Sequence, residues 1–84
     1  MNRKDEYFRI LIVDDNEDIR SIAKEYLNSS GNSVDGAPDG REALEKCKTE
    51  VYDLIITDLN MPELSGMDLI QEVRKQNDMT EFVI

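Results

Sequence analysis

Apolar and polar positions along the chain follow two different periods, and the change from one to the other marks the elements. Phe8 to Val13 is a near-continuous apolar run closed by Asp14-Asp15-Asn16. Such runs belong to strands buried on both faces, hence to parallel sheets. Ile19, Ile22, Ala23, Tyr26 and Leu27 then recur at the spacing of an amphipathic helix. Asn16 is placed to cap that helix, Glu17 and Asp18 suit the positive end of its dipole, and Gly31 can end it in the left-handed conformation. Ser33 to Ala37 predicts a second strand, weakened by Gly36. Asp39 with Glu42 reads as an N-cap with a carboxylate three residues on. Ala43, Leu44, Cys47 and Val51 give the following helix its apolar face. Asp53 to Thr57 is a third strand ending at Asp58. Pro62 disfavours helix at Met61, so Asn60-Met61-Pro62 is a loop. Ser65 with Asp68 predicts a second capping box, and Leu69, Ile70 and Val73 a third helix. Phe82 to Ile84 predicts a fourth strand. The order is βαβαβαβ, so the fold class is α/β, with right-handed crossovers and a parallel sheet. Binding sites in such sheets lie beyond the carboxyl ends of the strands, where the strand order reverses.

Composition narrows the chemistry. The 84 residues make one small domain at most, and a chain of that size buries only about 60–65% of its unfolded surface. Ten basic against nineteen acidic residues give a net charge of −9, a sign that repels nucleic-acid phosphates and anionic lipid. The absence of His excludes Ser/His/Asp and Cys/His triads and imidazole metal sites, and one cysteine, Cys47, excludes an intrachain disulfide and a CxxC zinc site. The longest apolar run, Ile10 to Val13, is far below the ~20 residues of a membrane span. The polar start, Met1-Asn2-Arg3-Lys4-Asp5-Glu6, has no apolar h-region. With a free thiol, this predicts a cytoplasmic chain whose residues 1–7 are a disordered polar terminus.

Two predicted strands end in carboxylates, Asp14-Asp15 after the first and Asp58 after the third. If those strands are neighbours, three acids converge. Two charges ~4 Å apart repel by ~1 kcal/mol in water and ~4 kcal/mol at an effective dielectric of 20. Helix capping and turn formation account for such residues singly. A cluster of them calls for a cation, and oxygen ligands without His or Cys select a hard ion, Mg2+ or Mn2+. Among the lesser signals, Cys47, Met61 and Met67 read as packing residues, and Glu45, Lys46 and Lys48 as a solvated helix face. Asp53, at the start of its strand, belongs to the opposite edge of the sheet from Asp58.

The segments ILIVDDN, APDGREAL and DLIITDLNMPELSG resemble the receiver domain of two-component response regulators, over residues 8–84. The resemblance implies a flavodoxin-like doubly wound sheet of order 2-1-3-4-5, hence 2-1-3-4 here. It implies that Asp58 is the phosphoacceptor for a histidine kinase, and that Asp15 and Asp58 ligate Mg2+ directly, Asp14 through water and Asn60 through its backbone carbonyl. Met61, Pro62 and Gly66 would shape the site loop, and Leu59 would sit at its rim. Against a full receiver of about 120 residues, residues 8–84 correspond to the first two-thirds, truncated after the fourth strand. The fifth strand, the last two helices, the Thr or Ser after strand four and the Lys after strand five are not in the sequence. The implied role is a phosphoacceptor signalling module, not a turnover enzyme. An interaction fragment without phosphoryl chemistry is the alternative. A haloacid dehalogenase-type phosphatase is a third reading, but it needs an acid two residues after the nucleophile, where Asn60 stands. The exposed edge of the fourth strand would permit self-association.

Overall fold

The computed structural model describes residues 8–58, 66–77 and 79–84. The polar terminus, the loop residues Leu59, Asn60, Met61 and Pro62, and the expected cap Ser65 lie outside them. Four parallel strands, β1 (Arg9–Val13), β2 (Ser33–Ala37), β3 (Leu54–Thr57) and β4 (Glu81–Val83), alternate with helices α1 (Glu17–Ser29), α2 (Gly40–Thr49) and α3 (Gly66–Gln76). The sheet order is β2-β1-β3-β4, as the resemblance implies.

Register follows from which side chains each face must bury. Ile10 to Val13 pair with Val34 to Ala37 on one side and with Leu54 to Thr57 on the other. Because successive side chains alternate, Leu11, Val13, Ala37 and Ile55 enter one core with Ala43 of α2 and Leu69 and Val73 of α3. Ile10, Ile12 and Val34 enter a second with Ala23 and Leu27 of α1. Leu11, Val13, Ile55 and Leu69 are the largest fully buried side chains, each stabilising the fold by about 1.5–3 kcal/mol.

The caps form where the sequence puts them. Asn16 accepts hydrogen bonds from the amides of Asp18 and Ile19, and Asp39 from that of Glu42. Gly31 has φ +92°. Its amide donates to Asn28 O and that of Asn32 to Leu27 O, the paired bonds of a Schellman turn.

Three expectations are corrected. α2 ends at Thr49, and Glu50 takes an extended conformation (φ −127°, ψ 142°), so Val51 leaves the helix and is exposed. Met67 projects into solvent from the first turn of α3 rather than packing. The stripe of α1 is only half used: Ala23 and Leu27 meet the sheet, whereas Ile19, Ile22 and Tyr26 are 49%, 67% and 71% exposed. The helix packs over β1 and β2, which leaves the rest of its apolar flank without cover among the described residues.

Candidate functional site

Backbone hydrogen bonds carry the parallel ladder one residue past the strand ends. The Asp14 amide donates to Ala37 O at 3.1 Å, and the Asp58 amide donates to Val13 O at 3.4 Å. Neighbouring strands lie ~4.8 Å apart, so Asp14 and Asp58 emerge side by side at the carboxyl edge of the sheet, with Asp15 one residue farther out. Asp15 and Asp58 are exposed and Asp14 is half-buried. Any two carboxylates brought to ~5 Å repel by ~1 to ~3 kcal/mol, depending on how far water screens them.

The turn that carries Asp14 and Asp15 is tied at several points. Asp14 Oδ1 accepts from the Asn16 amide at 2.9 Å, Asn16 in turn caps α1, and the Arg20 guanidinium donates from Nη1 to Asp14 O at 2.6 Å. Beside the acids a cleft of about 320 Å³ runs between α1 and β3, lined by Asp14, Asp58, Ile19, Ile56 and Ile84 among others. The donor chemistry suits a hard divalent ion: carboxylate oxygens on two adjacent strands, open to water for the remaining ligand positions. Among the described residues, however, no three acidic or thiol side chains close around one point. The edge is assembled by the backbone; the side chains are not drawn together. Gly66 opens α3 and is buried. Asn60, Met61 and Pro62 lie outside the described residues.

The opposite edge holds groups that sequence patterning missed. Tyr52 is 3% exposed, and its hydroxyl donates to Asp35 Oδ2 at 2.6 Å. The Arg9 guanidinium lies 5.9 Å from the centre of its ring and pairs with Glu50. Burial first, then the hydrogen bond and charge of Asp35, push the Tyr52 hydroxyl far above its ordinary pKa. A lone Tyr before a strand gives no signal of such a partner. Asp53 accepts from the Arg9 amide at 2.9 Å and is remote from Asp58, as its place before β3 implies. Cys47 packs against the core, and burial raises its thiol to about 11. The thiolate is the reactive form, and burial disfavours it at Cys47.

Residues 10–84 match the response regulator receiver domain family, and the chain belongs to it. The Escherichia coli K12 sensor protein EvgS is 46% identical over 72 residues, which are 86% of this chain and 6% of that protein. The Thermotoga maritima chemotaxis protein CheY is 38% identical over 77 residues, covering 90% of this chain and 64% of that one. The chain thus spans less than two-thirds of these relatives. Among solved structures, Vibrio cholerae CheY4 superposes with a TM-score of 0.84 at 37% identity, over 90% of this chain and 65% of that one. Thermotoga maritima TrrA, solved with Mg2+ and BeF, gives 0.78 at 34% identity, over 90% and 84%. A complex of TrrA with the histidine kinase ThkA gives 0.80 at 42%, over 88% and 64%. Among the described residues no helix is long and apolar enough to cross a membrane.

Proposed function

We propose that this chain accepts a phosphoryl group on Asp58 from a histidine kinase, as the receiver module of a two-component phosphorelay. The observation that carries the reading is the pair of ladder bonds that brings Asp58 beside Asp14 at the carboxyl edge of the sheet. An Asp58 carboxylate oxygen attacks the phosphorus of a phosphohistidine. The new O–P bond forms as the P–N bond breaks, and its electron pair stays on the imidazole. Asp14, Asp15, Asp58 and the Asn60 carbonyl would hold Mg2+. When bound, the ion neutralises the acids and the incoming phosphoryl oxygens, without which an anionic nucleophile and an anionic donor repel each other. Exposure of Asp58 lets a protein donor reach it. The chain is a substrate of its kinase and is consumed stoichiometrically rather than turning over. Support for the ion and for the partner comes from TrrA, solved with Mg2+ and BeF and with a histidine kinase.

The test is labelling with acetyl phosphate and Mg2+. The wild-type chain should take up one phosphoryl group, sensitive to alkaline hydroxylamine as acyl phosphates are, and Asp58→Asn should take up none. Equal labelling of the two proteins overturns the assignment.

A further inference from the structure

The acidic turn is anchored from outside by a residue that belongs to neither acidic segment. We infer that Arg20 is a positioning residue for the metal site, holding the Asp14–Asp15 peptide in the orientation in which Asp15 can bind a divalent cation. The inference rests on the reading of Asp15 and Asp58 as Mg2+ ligands and adds to it the group that presets one of them.

The geometry runs through a single peptide plane. Arg20 Nη1 donates to the Asp14 carbonyl oxygen at 2.6 Å. That carbonyl shares a planar unit with the Asp15 amide, so fixing it fixes the plane from which Asp15 departs. The other groups of Asp14 are held as well, its amide by Ala37 O and its Oδ1 by the Asn16 amide. The β2 bond fixes where the turn begins, the Asn16 bond fixes where α1 begins, and among the described residues Arg20 fixes the plane between them.

Gly36 explains how Arg20 reaches that position. It faces α1 from β2, and a β-carbon there would lie 3.4 Å from Lys24 Cδ and 3.5 Å from Arg20 Cδ. The two long stems lie flat on the strand where a side chain would stand. Alanine fits at ordinary contact distance, but a branched residue must lift the Arg20 stem and draw its guanidinium from the Asp14 carbonyl. The glycine that weakens β2 in the sequence therefore makes room for the arginine.

Arg20 also carries positive charge beside a site meant for a cation. Charge alone and positioning predict opposite results: removing the charge would tighten Mg2+ binding, whereas losing the anchor would loosen it. The geometry favours the anchor, because the bond is made to a carbonyl and not to a carboxylate.

Calorimetric titration of the full 84-residue chain with Mg2+ separates them, alongside acetyl phosphate labelling as a function of Mg2+. Arg20→Met, which keeps the stem, should weaken Mg2+ binding about tenfold, the low end for loss of a partner that orients a ligand. Saturating Mg2+ should restore labelling of Asp58. Arg20→Lys, which keeps a donor and the charge, should recover most of the loss. Gly36→Val should weaken binding in the same direction with every acid and Arg20 intact, and it carries the test should Arg20→Met fail to fold. Unchanged or tighter Mg2+ binding in Arg20→Met and Gly36→Val, with wild type binding the ion, overturns the role of Arg20 alone. A wild-type chain that binds no Mg2+ overturns the ligand assignment, and this inference with it.

Discussion

Removing one oxygen atom from Tyr52 isolates the hydrogen bond at the lower edge of the sheet. Tyr52→Phe keeps the ring, its packing beside Cys47 and the Arg9 guanidinium over its face. It deletes the donor to Asp35 Oδ2 at 2.6 Å. Hydrogen bonds to charged groups stabilise by about 1.5–3 kcal/mol. Asp35 is only half-buried, so water replaces part of the lost bond, and the expected cost is about 1–1.5 kcal/mol near neutral pH. For a domain of this length that lowers Tm by roughly 5–10 °C. Alkaline pH supplies an independent check. The fold holds the Tyr52 hydroxyl neutral above its ordinary pKa, which is about 10 in the unfolded chain. Its contribution is therefore complete below about pH 10 and is lost as pH rises toward the elevated folded value. The phenylalanine variant has no such titration, so the stability gap between the two proteins should narrow steadily above pH 10. Thermal or urea unfolding at pH 7, 9, 10 and 11 measures both effects. A variant as stable as wild type at pH 7, or a gap constant with pH, would refute the bond and its electrostatic consequence together.

Further outcomes follow from other parts of the molecule. Mg2+ should raise Tm by mass action, and Asp15→Ala should remove most of that rise; an equal response in the variant would misplace the ion. The Cys47 thiol, raised to about 11 from 9.0, stays neutral in the fold after it ionises in the unfolded chain. Its share of stability is thus lost between about pH 9 and 11, and Cys47→Ser should show a shallower decline across that window in urea unfolding. A polypeptide of these 84 residues alone exposes the Val83 and Ile84 side chains at β4 and the Ile19, Ile22 and Tyr26 flank of α1. It should self-associate in sedimentation at micromolar concentration, and a monodisperse monomer would show that these surfaces tolerate water.

What the sequence made legible was whatever one local interaction decides. Asn16 and Asp39 cap their helices because a short acceptor before an apolar stripe has one good use, and Gly31 ends α1 because only glycine takes φ +92° without strain. The unbroken run Ile10 to Val13 announced a strand buried on both faces, and it lies at the centre of the sheet. Decisions between segments were not legible. Val51 extends the helical period by one more residue, yet the chain must turn toward β3 before that period completes, and Val51 is left in water. Ile19, Ile22 and Tyr26 are apolar at the right spacing, but spacing says only that a face can be buried and not how much of it is covered. Arg20 bonds the Asp14 carbonyl with its stem beside Gly36 of another element, and neither residue signals the other. Tyr52 and Asp35 stand 17 residues apart and meet only because β2 and β3 flank β1.

Asp53 and Asp58 show why residue type alone could not assign the site. Both bracket β3, and both are exposed carboxylates beside a strand. At the lower edge the Asp53 side chain accepts from the Arg9 amide, its own amide donates to Arg9 O, and its carbonyl accepts from Glu81. Side chain and main chain of Asp53 together join β3 to β1 and β4 where they enter the sheet. At the upper edge the Asp58 amide, donating to Val13 O, supplies the ladder bond. The sheet thus closes on a main-chain group at this edge. At Asp14 the amide joins the ladder, while the carboxylate and carbonyl set the turn before Asp15. Asp53 thus ties the strands where β3 begins, and the proposed acceptor stands where β3 ends.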